Sequence, residues 1–316
     1  MGAFISMLTN VVIFVALAVP GWILVKTKTL KVEQSLPLSK LLMWVGMPFL
    51  ILSSTMRLQF NETLIKGMGL SFAITLLYVG VWFFITMYLT RKEGDVKKRG
   101  MLRFCMMFSN NGFLGLPLAA AVLGETTDAY FYLVIANVLT NLLMYTIGVF
   151  YISGDKKQMS LKKVILNPVF ISFVIGMVFN LTGVGEALPQ VLTFSDHFKS
   201  IVTPVSMTIL GMKMGGIKFS TLFKNWKIYY VSAFKLIAVP VGAIAIAYFL
   251  GLWSGVGAAL AFAMLIAFGT PTAGLASTFA DAYKGDEEGA AVYTLGSTIL
   301  SLATIPVLYW ILNLIV

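Results

Sequence analysis

The sequence predicts an all-α membrane protein. Ten transmembrane helices form two inverted five-helix repeats, with the fourth and ninth helices interrupted. Three observations carry this reading. Of 316 residues, 59% are hydrophobic and only 11% charged, and the mean hydropathy is +0.89; an ordinary soluble domain carries about 25% charged residues. The apolar residues fall in runs that suit a hydrocarbon core of about 30 Å, which takes about 20 helical residues to cross. Two of the runs are interrupted at matched places, by SNNGFLGLP at Ser109–Pro117 and by FGTPTAG at Phe268–Gly274.

Taken in order, the first run is Phe4–Val25. No basic residue precedes it and no small-residue cleavage pattern follows, so it reads as a retained helix and not a signal peptide. Ser39–Met56 carries Pro48 in mid-span, and Leu64–Leu89 is continuous. Met101–Gly124 is the first interrupted run; Ala129–Ile152 carries Asn137 and Asn141 one helical turn apart. Val164–Gly183 and Ile201–Gly216 follow, the latter with Pro204. Ile228–Leu250 contains Lys235, Val256–Ala280 is the second interrupted run, and Gly289–Val316 carries Ser297 and Ser301.

Charge sets the orientation. The connections after the odd-numbered runs hold 19 Lys and Arg, those after the even-numbered runs hold 3, and Lys235 is left inside a run. The positive-inside rule then puts the odd connections in the cytoplasm and both termini outside the cytoplasm of a multi-pass cell-membrane protein. The net charge of +10 follows membrane topology, not nucleic-acid binding. The short basic connection 153–163 separates residues 1–152 from 164–316, with five runs on each side. An odd number of spans per half makes the halves inverted. At a shift of 160 residues, Asn110-Asn111 falls on Thr270-Pro271, Asn137 on Ser297 and Asn141 on Ser301.

The sequence leaves little room for catalysis. One cysteine, Cys105, allows no intramolecular disulfide or multi-cysteine metal site, and the one histidine, His197, is expected in a solvated loop. No phosphate-binding glycine loop, appended soluble domain, catalytic set, metal site or cofactor is expected. Glycine costs about 1 kcal/mol and proline about 3 kcal/mol inside a helix, and freed backbone in hydrocarbon must be satisfied by protein or face a wet cavity. Matched interruptions point to a transporter's binding site near the midplane. Its expected lining is Asn110, Asn111, Gly112, Thr270, Pro271 and Thr272, with Gly115, Pro117, Gly269 and Gly274 shaping the breaks. Asn137, Asn141, Ser297 and Ser301 either line the pathway or join helices. Lys235 stands roughly 10 Å into its helix with no acidic partner in any span. That favours a cation facing a cavity, its charge met by an anionic substrate.

The motif FSNNGFLGLPLAAAVLG resembles the fourth helix of the auxin efflux carrier family, which includes plant PIN proteins and bacterial malate and malonate permeases. KKVILNPVFISFVIGMVFNLTGV, FGTPTAGLASTFADAY, VPGWILVKTKTL and WVGMPFLILSS resemble its sixth, ninth, first and second helices. The resemblance implies a scaffold domain and a transport domain, with helices 4 and 9 unwound and crossing, Asn110 as crossover asparagine, Pro271 as crossover proline and Lys235 as the basic residue of helix eight. The short central connection and a second helix without an acidic residue depart from some members. The expected function is a secondary transporter or facilitator of small organic anions, mono- or dicarboxylates, by an elevator-type movement. Alternatives are a Na⁺-coupled symporter of the bile-acid type and a membrane ligand sensor. Besides substrate and lipid, a coupling ion (Na⁺ or H⁺) and a homodimer partner stay open.

Overall fold

A computed structural model describes residues 2–216 and 225–316. Most of the seventh connection, with Lys218 and Lys224 of the charge pattern, lies outside the described residues. Thirteen helices carry the architecture: α1 Gly2–Lys26, α2 Val32–Met56 and α3 Glu62–Leu89, α4 Val96–Met107, α5 Asn111–Val122 and α6 Asp128–Ser153, α7 Pro168–Leu181, α8 Pro189–Ser200, α9 Val202–Gly216, α10 Trp226–Leu252 and α11 Gly257–Gly269, α12 Ala276–Ala282 and α13 Glu287–Ile315. The described residues form no named strand. Seven described helical stretches are long and apolar enough to cross a membrane: Met7–Lys26, α2, α3, α6, Lys156–Leu181, α10 and α13. The fourth and ninth runs are each split, and α5 and α11, at about 18–20 Å, are too short to cross alone.

The strongest helix contacts fall into two sets, which also touch each other and share one core. In one, α1 lies along α9, and α2 lies along α7 and α8. In the other, α3 packs on α6, α6 on α11, α11 on α10 and α10 on α13; α1 also touches α13. Lipid gives helices no hydrophobic reason to associate, so close backbone approach between small residues holds them. A Cβ on Gly21 would stand 2.0 Å from the Thr208 carbonyl oxygen, and one on Gly211 would stand 1.8 Å from that of Ala18. In the α2–α7 pair, a Cβ on Gly176 would stand 1.8 Å from Thr55 Oγ1.

Local irregularity follows the prolines. π-helical turns at Leu42–Gly46, Asn111–Gly115 and Phe234–Ala238 each end two residues before Pro48, Pro117 or Pro240. A proline has no N–H for the i−4 carbonyl and its ring crowds that carbonyl, so the preceding turn widens. A fourth such turn, Met144–Gly148, has no proline behind it. One expectation is corrected: His197 lies on a helix, not in a loop. Pro189 opens α8, and Phe194 and Phe198, four residues apart, both pack on Phe49 with ring centroids 5.5 and 4.7 Å away.

Candidate functional site

The site is built where two helices stop. α4 ends at Met107 because Phe108 turns to extended backbone, φ −89° and ψ 130°. α11 ends at Gly269, and Thr270 is extended, φ −69° and ψ 153°. Pro271 forces that, since the residue before a proline is driven out of the helical region. The two extended segments run antiparallel, with Ser109 facing Thr272. Asn110 N–H donates to the Pro271 carbonyl at 2.7 Å, and Ala273 N–H donates to the Phe108 carbonyl at 2.9 Å. Backbone groups freed by both breaks thus satisfy each other, as a low-dielectric interior requires. In this antiparallel register Asn110 faces Pro271 and Phe108 faces Ala273.

Lys235 lies behind this crossing. It sits in the π-helical turn of α10 and is 0% exposed. Its ammonium donates to Ser109 Oγ, to the Phe268 carbonyl at 3.3 Å and to the Met107 carbonyl at 3.5 Å. The carbonyls belong to the last turns of α11 and α4, where helix dipoles place negative partial charge. Lys235 lines none of the cavities around the crossover. This departs from the expectation of a cavity-facing cation; the charge is met by two helix C-termini.

Side chains buttress the crossing from both sides. Thr272 Oγ1 donates to the Cys105 carbonyl at 3.0 Å, and Thr272 N–H donates to Ser297 Oγ at 3.1 Å. Asn137 Nδ2 donates to Asn111 Oδ1 at 2.9 Å, and Asn111 Nδ2 to Thr140 Oγ1 at 3.0 Å. Asn141 Nδ2 donates to the Asn137 carbonyl at 2.9 Å. Thr270, Thr272, Asn137 and Ser297 are fully buried, and Pro271 is buried. They hold the crossover from within the second helix group. Gly115 is buried and packs on Thr270 and Ile266, and Gly269 packs on Leu265 and Pro240. Pro117 lines a separate cavity with Arg57, Glu125, Asp196 and Lys199, where Arg57 pairs with Asp196 and Lys199 with Glu125.

Two cavities flank the crossing. The first, about 30 Å³, is lined by Asn110, Asn111, Gly112, Asn141, Gly274 and methionines of α2. The second, also about 30 Å³, is lined by Ser39, Asn110, Ser206, Lys213, Gly274 and Thr294 among others. Asn110 and Gly274 belong to both. A Cβ on Gly274 would press on Phe113 and on the Asn110 amide at 3.3–3.5 Å, so glycine leaves that amide room. Ser301 lines neither; it is 1% exposed, donates to the Thr298 carbonyl at 2.7 Å and borders an apolar cavity beside α1. Sequence reasoning missed Lys213. It was counted among the basic residues of the seventh connection, yet its ammonium donates to the Gly274 carbonyl at 3.2 Å. The available signal was spacing: Ser206, Leu210 and Lys213 recur at i, i+4 and i+7, one face of a helix.

A multi-pass chain whose two broken helices meet in a polar, cavity-flanked crossing is a membrane transporter. The sequence model described as membrane transport protein matches residues 6–309. The chain belongs to that family, the auxin efflux carriers. It is also similar to an uncharacterized transporter of Methanothermobacter thermautotrophicus, 25% identical over 96% of this chain and 97% of the relative.

Proposed function

We propose that the chain is a secondary transporter of small organic anions, and that the bundle carrying the crossover moves against the α1–α9 and α2–α7 pairs in an elevator-type cycle. The observation that carries this is the sharing of Asn110 and Gly274 between cavities on both sides of the crossing. A ligand held there lies between the two helix groups. Asn110 makes no side-chain cap bond, which leaves its amide available to a carboxylate. N–H groups of the first turn of α5 have no helical acceptor and favour negative charge. In this reading Asn110, Asn111, Gly112, Asn141 and Gly274 face the substrate, while Lys235, Thr270, Pro271, Thr272, Asn137 and Ser297 position the crossover.

The inverted halves, 1–152 and 164–316, supply the symmetry that alternating access uses. Gly21 of the first run packs on Thr208 of the seventh, and Gly176 of the sixth packs on Thr55 of the second. Both contacts join one half to the other, the first run to the seventh and the sixth to the second, as the inverted repeat requires.

Counterflow in proteoliposomes, loaded with a panel of mono- and dicarboxylates, tests the proposal. Exchange of at least one carboxylate is expected, with Asn110→Ala lowering it about tenfold or more while thermal stability stays within about 1 kcal/mol of the parent. Binding without flux would make the protein a sensor. Repeating the assay with and without a Na⁺ gradient reads the coupling ion.

A further inference from the structure

We infer that the crossover contains a site for a small monovalent cation, and that this chain fills it permanently with its own Lys235 ammonium. The inference goes beyond the anion reading: it concerns what holds the crossing together, whatever ligand the crossing takes.

Three oxygens converge behind the two breaks. The Met107 carbonyl ends α4, and the Phe268 carbonyl lies in the last turn of α11. Ser109 Oγ stands 3.5 Å from the Phe268 carbonyl. That carbonyl has lost its helical donor four residues on, because the Thr272 N–H is committed to Ser297 Oγ at 3.1 Å. Each helix C-terminus carries about half an elementary negative charge, so the two repel when brought together. Unwound carbonyls and half-helix C-termini are the groups with which secondary transporters hold Na⁺.

Here the occupant is tethered. Lys235 Nζ donates to all three oxygens, which uses every donor of an ammonium. Among the described residues Lys235 is the one buried charged side chain, at 0% exposed, and it belongs to none of their ion pairs. A snorkelling lysine would reach water, and a lysine kept for a carboxylate would have one beside it. A buried charge with neither is costly, unless the surroundings themselves favour a cation. The fold also aims it. Lys235 sits in the π-helical turn Phe234–Ala238, and the Tyr78 hydroxyl donates to the Val239 carbonyl just beyond that turn. The Tyr78 and Phe268 ring centroids are 4.4 Å apart, so α3 packs α10 and α11 together around the ammonium. A tethered cation cannot dissociate. No soluble ion enters or leaves at this point, and the crossing stays neutralised at every salt concentration.

Thermal unfolding of the purified parent, Lys235→Ala and Lys235→Met tests this, each in sodium, methylammonium or N-methylglucamine chloride at equal ionic strength. Lys235→Ala removes the charge and leaves room for an ion. Its midpoint is expected to be higher in sodium or methylammonium than in N-methylglucamine, which is too large to enter, by about 2 °C or more and saturably with concentration. Lys235→Met keeps most of the side chain's length but neither charge nor room, so its midpoint is expected below the parent's and equal in all three salts. The parent is expected to be indifferent to the salt. A Lys235→Ala midpoint that ignores the cation would make the ammonium a packing element and overturn the inference. So would Lys235→Met as stable as the parent, or a sodium increment in the parent as large as in Lys235→Ala. Should Lys235→Ala not survive in N-methylglucamine, its recovery as monodisperse protein in sodium or methylammonium supports the site; aggregation in all three salts overturns it. None of these measurements uses a carboxylate, so their failure leaves the anion reading standing.

Discussion

At Lys235, three neutral oxygens take the place of the carboxylate that a buried cation ordinarily requires. Two of them are carbonyls at the ends of α4 and α11, where aligned peptide dipoles leave about half an elementary charge each. The residue therefore ties the two broken helices to α10. Lys235→Ala removes all three hydrogen bonds and leaves a void, and is expected to destabilise the protein by about 3–5 kcal/mol. Thermal unfolding in detergent measures it; an unchanged midpoint would mean that the crossover is held by other contacts. Asn110 is the opposite case. Its backbone is fixed by Pro271, while its amide is spare, so its substitution acts on ligand and not on fold. Neither role is readable from residue type alone. Both are polar residues inside apolar runs, and only packing distinguishes the lysine behind the crossing from the asparagine in front of it.

Among elements, the second interruption was legible because Pro271 drives Thr270 out of the helical region, whereas Pro117 lies inside α5 and the first break falls before it, at Phe108–Asn110. The antiparallel pairing of the two extended segments, Ser109 against Thr272, was not legible, because backbone hydrogen bonds join peptide groups whatever the side chains. α8 was illegible for another reason. Asp196, His197 and Lys199 mask the i, i+4 spacing of Phe194 and Phe198, which makes one face of that helix apolar. Helix contacts carry their own expectations. Gly21→Ala drives a methyl group into the Thr208 carbonyl and is expected to cost about 1–3 kcal/mol or more. Gly69→Ala on α3 meets nothing within 4 Å and is expected to be neutral or slightly stabilising; equal midpoints for the two variants would contradict the packing. At the membrane edge, the Lys227 ammonium bonds Glu93 at 2.5 Å and holds its carboxyl below the usual value. A depressed carboxyl adds stability above its unfolded pKa, and that stability is lost as pH falls through the lower folded value. The penalty of Glu93→Gln, at most about 1 kcal/mol, is therefore expected at pH 7 and should fade below about pH 4.

For the whole molecule, the distribution of basic residues predicts the orientation in the membrane. The positive-inside rule predicts Lys156 and Lys157 of the central connection on the cytoplasmic side and the cavity between Arg57, Glu125, Asp196 and Lys199 on the other. In a Cys105→Ala background, Lys156→Cys is expected to react with an impermeant maleimide only after right-side-out vesicles are permeabilised. Thr203→Cys, lining that outer cavity, should react directly; the reverse pattern would invert the protein. Of the two ion pairs at that cavity, Arg57–Asp196 lies within the first group and Lys199–Glu125 reaches from α8 to the residue after α5. Any elevator movement must remake the second of these. The measurement closest to the central claim is a cryo-EM structure of the protein with a carboxylate that it exchanges. Density is expected at the crossing, with the carboxylate within hydrogen-bond distance of the Asn110 amide. Ligand found elsewhere, with that crossing filled only by water, would contradict it.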